Sequence, residues 1–195
     1  MSGRLEGKVA IVTGAAGGQG RATAVRFAEE GAAVAITDVD AAGLEGTAAL
    51  VAVTGAGCLT ACGDVSLSAH VDPFVAAVVE RFGRIDVLHN NAGVLGESKP
   101  VHELSEDEWD RVMRVNAKSQ FLLVRRVVPH MRSAGGGSII NVASIAAVRG
   151  FTNLAAYCAS KGAVMALTTA LALELGPDNI RVNGLIPGSM DTAMP

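Results

Sequence analysis

A chain of 195 residues suits one domain with a single sizeable core, and a composition that is 50% apolar with only 4% aromatics fills that core with small side chains. The net charge of −3, with no run of basic residues, argues against a polyanionic partner, so nucleic acid is not expected. The N-terminal MSGRLEGKVAIVTG has no basic stretch leading into a long apolar run, so no signal peptide is expected there.

Short β-branched runs alternate with longer Ala-rich segments of helical character. In chain order the spacing predicts a strand over 9–13, a helix over 20–30, a strand over 33–38, a helix over 41–53 and a strand over 58–61. A helix over 73–82 follows, with 66–71 able to extend it by a turn, and then a strand over 85–90. One long helix is predicted over 106–133, opened by a capping box of Ser105 and Glu108 and stopped by Gly135, Gly136 and Gly137. A strand over 138–143, a helix over 155–175 and a strand over 181–186 complete the series. Strands joined by helical crossovers pair in parallel, and continuous apolar runs fit strands covered on both faces. The expected fold is a doubly wound parallel sheet, Rossmann-like, in three α/β/α layers, forming one dinucleotide-binding domain over 1–195. The stretch 163–175 is broken by Thr168, Thr169 and Glu174, too short and polar to span a bilayer, so no membrane is expected.

The first strand runs into Thr13, Gly14, Ala15, Ala16, Gly17, Gly18, Gln19 and Gly20, with a helix directly after. This T-G-x-x-x-G-x-G pattern places backbone N–H groups and the positive end of a helix where a pyrophosphate can approach. Asp38 ends the second strand, where a carboxylate can accept hydrogen bonds from both adenosine ribose hydroxyls and repel a 2′-phosphate. No Arg or Lys lies between Gly14 and Gly20 and Val39 follows Asp38, so the cofactor is read as NAD over NADP.

Tyr157 is the single tyrosine, and Lys161 follows four residues later on a predicted helix, on the same face. A free phenol is a poor base at neutral pH. An ammonium about 4 Å away, at an effective dielectric near 20, favours the phenolate by about 4 kcal/mol. That spacing makes a plausible general acid/base. The three cysteines, Cys58, Cys62 and Cys158, fit no metal-ligand spacing, and the four histidines are scattered, so no metal is expected; reduced thiols fit the cytoplasm. Cys158 is read as a packed small residue.

Taken together, the Gly-rich turn, Asp64 and Val65, the run Asn90–Asn91–Ala92–Gly93, Asn116, Ser144, Tyr157 with Lys161, and Pro187–Gly188 onward resemble the single-domain, NAD-dependent branch of the short-chain dehydrogenase/reductase family. The resemblance implies a catalytic group of Asn116, Ser144, Tyr157 and Lys161. Tyr157 would exchange the hydroxyl proton, and Ser144 would hydrogen-bond the substrate oxygen. Lys161 would hold the nicotinamide ribose and favour the Tyr157 phenolate, while Asn116 would bend its helix and position a water. Cofactor contacts would come from Gly14, Gly18, the Gln19 backbone, Gly20, Asp38, Asp64, Val65, Asn91, Gly93, Tyr157, Lys161, Pro187, Gly188, Met190 and Thr192. Gln19 stands where most members carry an apolar residue. Relatives also continue past Thr192 through a substrate lid, a helix and a seventh strand, so the chain is expected to be a fragment.

The implied activity is hydride transfer between NAD and a small apolar secondary alcohol or ketone. Two alternatives are an epimerase or dehydratase of the same family and a nucleotide-binding module without turnover. Leu95, Ala146, Phe151 and Leu154 are the substrate-pocket candidates. The helix 155–175 is apolar nearly all round and needs a second cover besides the sheet; the resemblance implies that it packs with 106–133 against a partner subunit, so a homo-oligomer, dimer or tetramer, is expected.

Overall fold

The computed structural model describes residues 3–190. Six strands form one parallel sheet: β1 (Val9–Thr13), β2 (Ala33–Asp38), β3 (Cys58–Cys62), β4 (Val87–Asn90), β5 (Gly137–Val142) and β6 (Ile180–Leu185). Their spatial order is β3-β2-β1-β4-β5-β6, so the winding reverses between β1 and β4. Ligands of open α/β sheets bind in the crevice at such a reversal, beyond the carboxyl ends of the strands.

The helices are α1 (Gly18–Glu29), α2 (Ala41–Val53), α3 (Ser68–Phe82), α4 (Glu106–Met113), α5 (Ser119–Ser133) and α6 (Ala155–Leu175). Strand alternation sorts them into two layers. Val9, Ile11, Leu88 and Ile139 point to the face packed by Phe74 and Val78 of α3, Leu123 and Val127 of α5, and Leu175 of α6. Ala10, Val12, Val34 and Ile36 point the other way, onto Ala24 and Ala28 of α1 and Leu44 and Val51 of α2. The Ala-rich seams let α1 and α2 lie close to the sheet. The three-layer prediction is confirmed.

Several boundaries differ for local reasons. The turn before Pro73 is helical, so α3 takes in residues 68–72 and Pro73 lies inside the helix, where it forgoes the N–H bond to the Ala69 carbonyl. The long fourth helix is split by a π turn at Arg114–Lys118 between α4 and α5. Half of the expected capping box forms: Ser105 Oγ accepts from Glu108 N at 3.2 Å. The Glu108 carboxylate instead accepts from Glu97 N and binds Arg111, and those partners hold it down to about 2. Gly135 and Gly136 end α5, whereas Gly137 already belongs to β5.

The last helix keeps its predicted bounds, but the premise that its apolar stretch is too short to span a bilayer needs correction. Helical structure continues from Ala155 to Asp178, 24 residues, and this is long and apolar enough to cross a membrane by length and composition. The structure instead lays it along β6 and β5, with Tyr157, Ser160, Lys161 and Val164 buried. Its outward side carries Ala166, Thr169, Ala170 and the exposed Leu173.

Candidate active site

At the reversal point the ends of β1 and β4 are stapled together. Thr13 Oγ1 accepts from the N–H groups of Asn91 and Ala92, each at 3.0 Å. The Asn91 amide donates back to Thr13 O at 3.0 Å and to Gly14 O at 3.1 Å. The Gly-rich turn leaves from this staple. Gly20 is required by packing, because a Cβ there would stand 2.0 Å from Gly14 O, and Gly14 itself has φ +64. Gly17, Gly18 and Gln19 then open α1 with no side-chain cap, leaving the first amides of the helix free to meet an anion. This cradle fits a pyrophosphate.

Asp38 sits beside it. One carboxylate oxygen accepts from Ala16 N at 3.0 Å and the other from Asp40 N at 3.1 Å, so backbone amides fix the acceptor at the rim of the turn. Asp64 lies past the end of β3, its carboxylate accepting from Ser66 N at 2.8 Å, and Val65 beside it is buried. These donors and acceptors suit an adenosine ribose and a base.

The tyrosine–lysine helix supplies the second half. Lys161 is 1% exposed and donates to the backbone carbonyl Val142 O at 2.9 Å, its one hydrogen-bond partner among the described residues. Burial alone lowers its pKa to about 8. Its ammonium lies 5.8 Å from the centre of the buried Tyr157 ring. Asn116 falls inside the π turn and is fully buried. Its amide grips Val94 from both sides, accepting from the N–H at 2.7 Å and donating to the C=O at 2.8 Å. The wider turn is what lets a mid-helix residue reach across to that loop. Gly93 lies between the two groups: a Cβ there would stand 3.2 Å from Asn116 Oδ1 and 3.3 Å from Lys161 Nζ. Ser144 follows β5 two residues after Val142, and its Oγ accepts from Ala146 N at 3.1 Å, leaving the hydroxyl proton to donate. The segment at Pro187 runs alongside, with Pro187 O accepting from Ile145 N at 2.9 Å. Gly188 and Met190 are exposed beyond it, and Thr192 falls outside the described residues.

Two contributors escaped the sequence reading. Ser160 is fully buried; its Oγ accepts from the Asn116 amide at 2.9 Å and donates to Tyr157 O at 2.8 Å, joining the π turn to the tyrosine helix. Its position one residue before Lys161 was the available signal. Thr13 was quoted only as part of a pattern, and its hydroxyl proves to close the crevice floor. Among the described residues, no group of three or more His, Cys, Asp or Glu comes together to hold a metal, and the three cysteines are unpaired.

The sheet order, the Gly-rich cradle and the tyrosine–lysine helix define a Rossmann-like α/β protein with its site at the reversal point. Residues 8–195 match the family described as short chain dehydrogenase. The chain is 42% identical over 193 residues to levodione reductase of Leifsonia aquatica, covering 98% of this chain and 72% of that protein. It superposes on carveol dehydrogenase from Mycobacterium avium in complex with NAD at a TM-score of 0.96, with 36% identity over 98% of this chain and 74% of that one. For NAD+-bound xylitol dehydrogenase the TM-score is 0.92, with 43% identity over 95% of this chain and 71% of that one. The chain belongs to the short chain dehydrogenase family.

Proposed function

We propose that the chain is an NAD-dependent oxidoreductase interconverting a secondary alcohol and a ketone, built as one dinucleotide-binding domain with Asn116, Ser144, Tyr157 and Lys161 as its catalytic group. The observation that carries this reading is the buried cluster in which Lys161 and Asn116 flank Gly93 and Ser160 and Tyr157 pack beside them, at the same carboxyl end of the sheet as the Gly-rich turn. Relatives named for dehydrogenation of carveol and xylitol and for reduction of levodione support the reaction class, and two of them are described with NAD bound.

The cradle of Gly14, Gly18, Gln19 and Gly20 holds the pyrophosphate, Asp38 the ribose, and Asp64 with Val65 the adenine. Asn91, Gly93, Pro187, Gly188, Met190 and Thr192 complete the cofactor contacts. Bound NAD supplies the hydride acceptor or donor. Tyr157 takes the proton from the alcohol hydroxyl at its phenolic oxygen, or returns it in the reverse direction. Ser144 donates a hydrogen bond to the substrate oxygen and stabilises charge developing there. The Lys161 ammonium keeps the phenolate favourable within a buried site, where its charge is weakly screened. Asn116 holds the loop carrying Val94 and, through Ser160, fixes the tyrosine helix.

The substrate-side candidates are apolar: Ala146, two residues after Ser144, is buried, Leu95 and Leu154 are at least half-buried, and Phe151 is exposed. A small apolar alcohol or ketone fits these walls. The outward apolar side of α6 supports a homo-oligomer, dimer or tetramer, and three unpaired cysteines support a reducing, cytoplasmic setting.

Calorimetric titration with NAD+ and NADP+ tests the cofactor assignment. Binding of NAD+ at micromolar levels, far tighter than NADP+ and weakened about tenfold or more in Asp38→Ala, is the expected result. A folded protein that binds neither nucleotide refutes it.

A further inference from the structure

Helix α2 carries an unexplained pattern on one face: Gly43, Gly46 and Thr47, at i, i+3 and i+4. Two glycines in a 13-residue helix weaken it, because glycine is a poor helix former, so their presence calls for a packing reason. The structure supplies one. A Cβ at Gly43 would stand 2.6 Å from Ala16 Cβ and 2.7 Å from Ala16 O, so the helix touches the Gly-rich turn backbone to backbone. Gly46 lies against the guanidinium of Arg21, whose Nη2 would be in ordinary van der Waals contact, 3.5 Å, with a Cβ there, so Gly43 alone is required by packing.

Arg21 itself stands one residue past the Gly-rich pattern, on α1. It is half-buried, and its three acceptors are all neutral: Nε donates to Thr47 Oγ1 at 2.9 Å, and Nη2 donates to Gly43 O at 3.1 Å and to Ala16 O. Thr47 Oγ1 in turn donates to Ala15 O at 2.7 Å. Both carbonyls of the Ala15–Ala16 step are thereby held from the α2 side. The N–H of the same Ala16 is held by Asp38 at 3.0 Å. A guanidinium is suited to this because its planar fork addresses several carbonyls at once.

We infer that Arg21, seated on the Gly43–Gly46–Thr47 face of α2, is a positioning residue for cofactor binding: it fixes Ala15 and Ala16 so that the turn amides and Asp38 are set before the dinucleotide arrives. The inference rests on the assignment of that turn as the pyrophosphate and ribose site. Preorganisation of this kind lowers the ordering cost of binding and acts on affinity. Arg21 acts through the peptide it holds.

The test is calorimetric titration of the full chain with NAD+ and with ADP-ribose, wild type first. Failure of the folded wild type to bind either overturns the cofactor assignment itself, before any variant is measured. With wild-type binding established, Arg21→Met is expected to raise both dissociation constants about tenfold. Arg21→Lys, whose ammonium can still reach Ala16 O but cannot form the fork, should recover to within about threefold of wild type. A general loss of stability would not be repaired in this way. Thr47→Val, which removes the link to Ala15 O, should weaken both ligands about threefold, and it carries the test if Arg21→Met does not fold. Unchanged affinity in folded Arg21→Met, or in folded Thr47→Val where the arginine variant is lost, overturns the inference. So does Arg21→Lys behaving no better than Arg21→Met.

Discussion

Replacing Lys161 by Met separates what this residue does for the reaction from what it costs the fold. The lysine is 1% exposed and its ammonium has one polar partner, the carbonyl of Val142 at 2.9 Å. Burial lowers its pKa from 10.5 to about 8. Because the folded pKa lies below the unfolded one, the unfolded chain binds more protons between pH 8 and 10.5, and stability rises with pH across that window. Below pH 8 both states are protonated and the full penalty applies, about 3 kcal/mol for a shift of this size. Methionine fills similar space without charge, and it gives up the bond to Val142 O, worth about 1.5–3 kcal/mol for a charged donor. The two terms nearly offset at pH 7, so Lys161→Met should be as stable as wild type or more so. It should also lose turnover by a factor of about 10² or more. Urea unfolding of both proteins at pH 7, 8, 9 and 10 reads the linkage directly. Wild type should gain on the variant by about 2.5 kcal/mol by pH 10. Other groups that titrate there are common to both proteins and cancel in the difference. A difference in stability that stays constant from pH 7 to 10 would refute the reasoning, as would a variant destabilised by more than about 3 kcal/mol at pH 7.

Tyr157→Phe removes only the phenolic oxygen of a buried ring. Turnover of a screened secondary alcohol should fall by about 10² to 10⁴, with NAD+ affinity changed less than about threefold; retained turnover would end the acid/base assignment. His89, 2% exposed on β4 and edge-on to Phe27, has neither ring nitrogen partnered, and burial lowers its pKa to about 4. With the folded pKa below the free value of 6.5, stability is lost as pH falls from 6.5 toward 4. By pH 4.5 wild type should lose about 2.5 kcal/mol that His89→Leu keeps, and parallel pH profiles would contradict this. Gly20→Ala forces a Cβ to within 2.0 Å of Gly14 O. It should cost about 2 kcal/mol or more in urea unfolding and abolish NAD+ binding, and an unchanged unfolding midpoint would show that the turn is not tight.

The sheet was readable because its signal is long and periodic. The bounds of β1, β2, α2 and α6 coincide with those read from the sequence, whereas β4 begins two residues late, with Asp86 before it bonded through its backbone to Val9 and Ser138 and through its side chain to a polar cluster. Its carboxylate accepts from Val9 N at 3.0 Å and from both Arg84 nitrogens, and no pattern of hydropathy reports such a capture. The π turn was equally invisible, since one inserted residue leaves helical periodicity almost unchanged. Asn116 was placed there by resemblance alone. What sequence spacing could give was the Tyr157 and Lys161 pair, because i and i+4 on a helix fix a shared face. The partners that hold Asn116, Val94 and Ser160, lie 22 and 44 residues away in the chain, beyond any local pattern. Arg21 stood in plain view, but its acceptors belong to a different helix, and only the packed structure brings the Gly43 and Gly46 face to it.

The common thread is where polar groups stop being tolerated. Inside the sheet β1 and β2 are apolar, and their polar residues, Thr13, Thr37 and Asp38, gather at the carboxyl ends. At the same level on the central strands, the Asn90 amide donates to Asn141 at 2.9 Å and the Asn141 amide donates to Thr168 of α6 at 3.0 Å. Each of these amide donors would cost about 1–3 kcal/mol if left unmatched, so the ladder ties the heights of β4, β5 and α6, although the Asn90 amide oxygen stays buried without a partner among the described residues. That fixed height is what sets Val142 O under Lys161 and brings Ser144 out of β5 beside the tyrosine helix. The proposed catalytic cluster is therefore positioned by the uncharged polar rung below it. A lysine carrying a buried charge with a single carbonyl partner is the part of that arrangement that stability alone would not select.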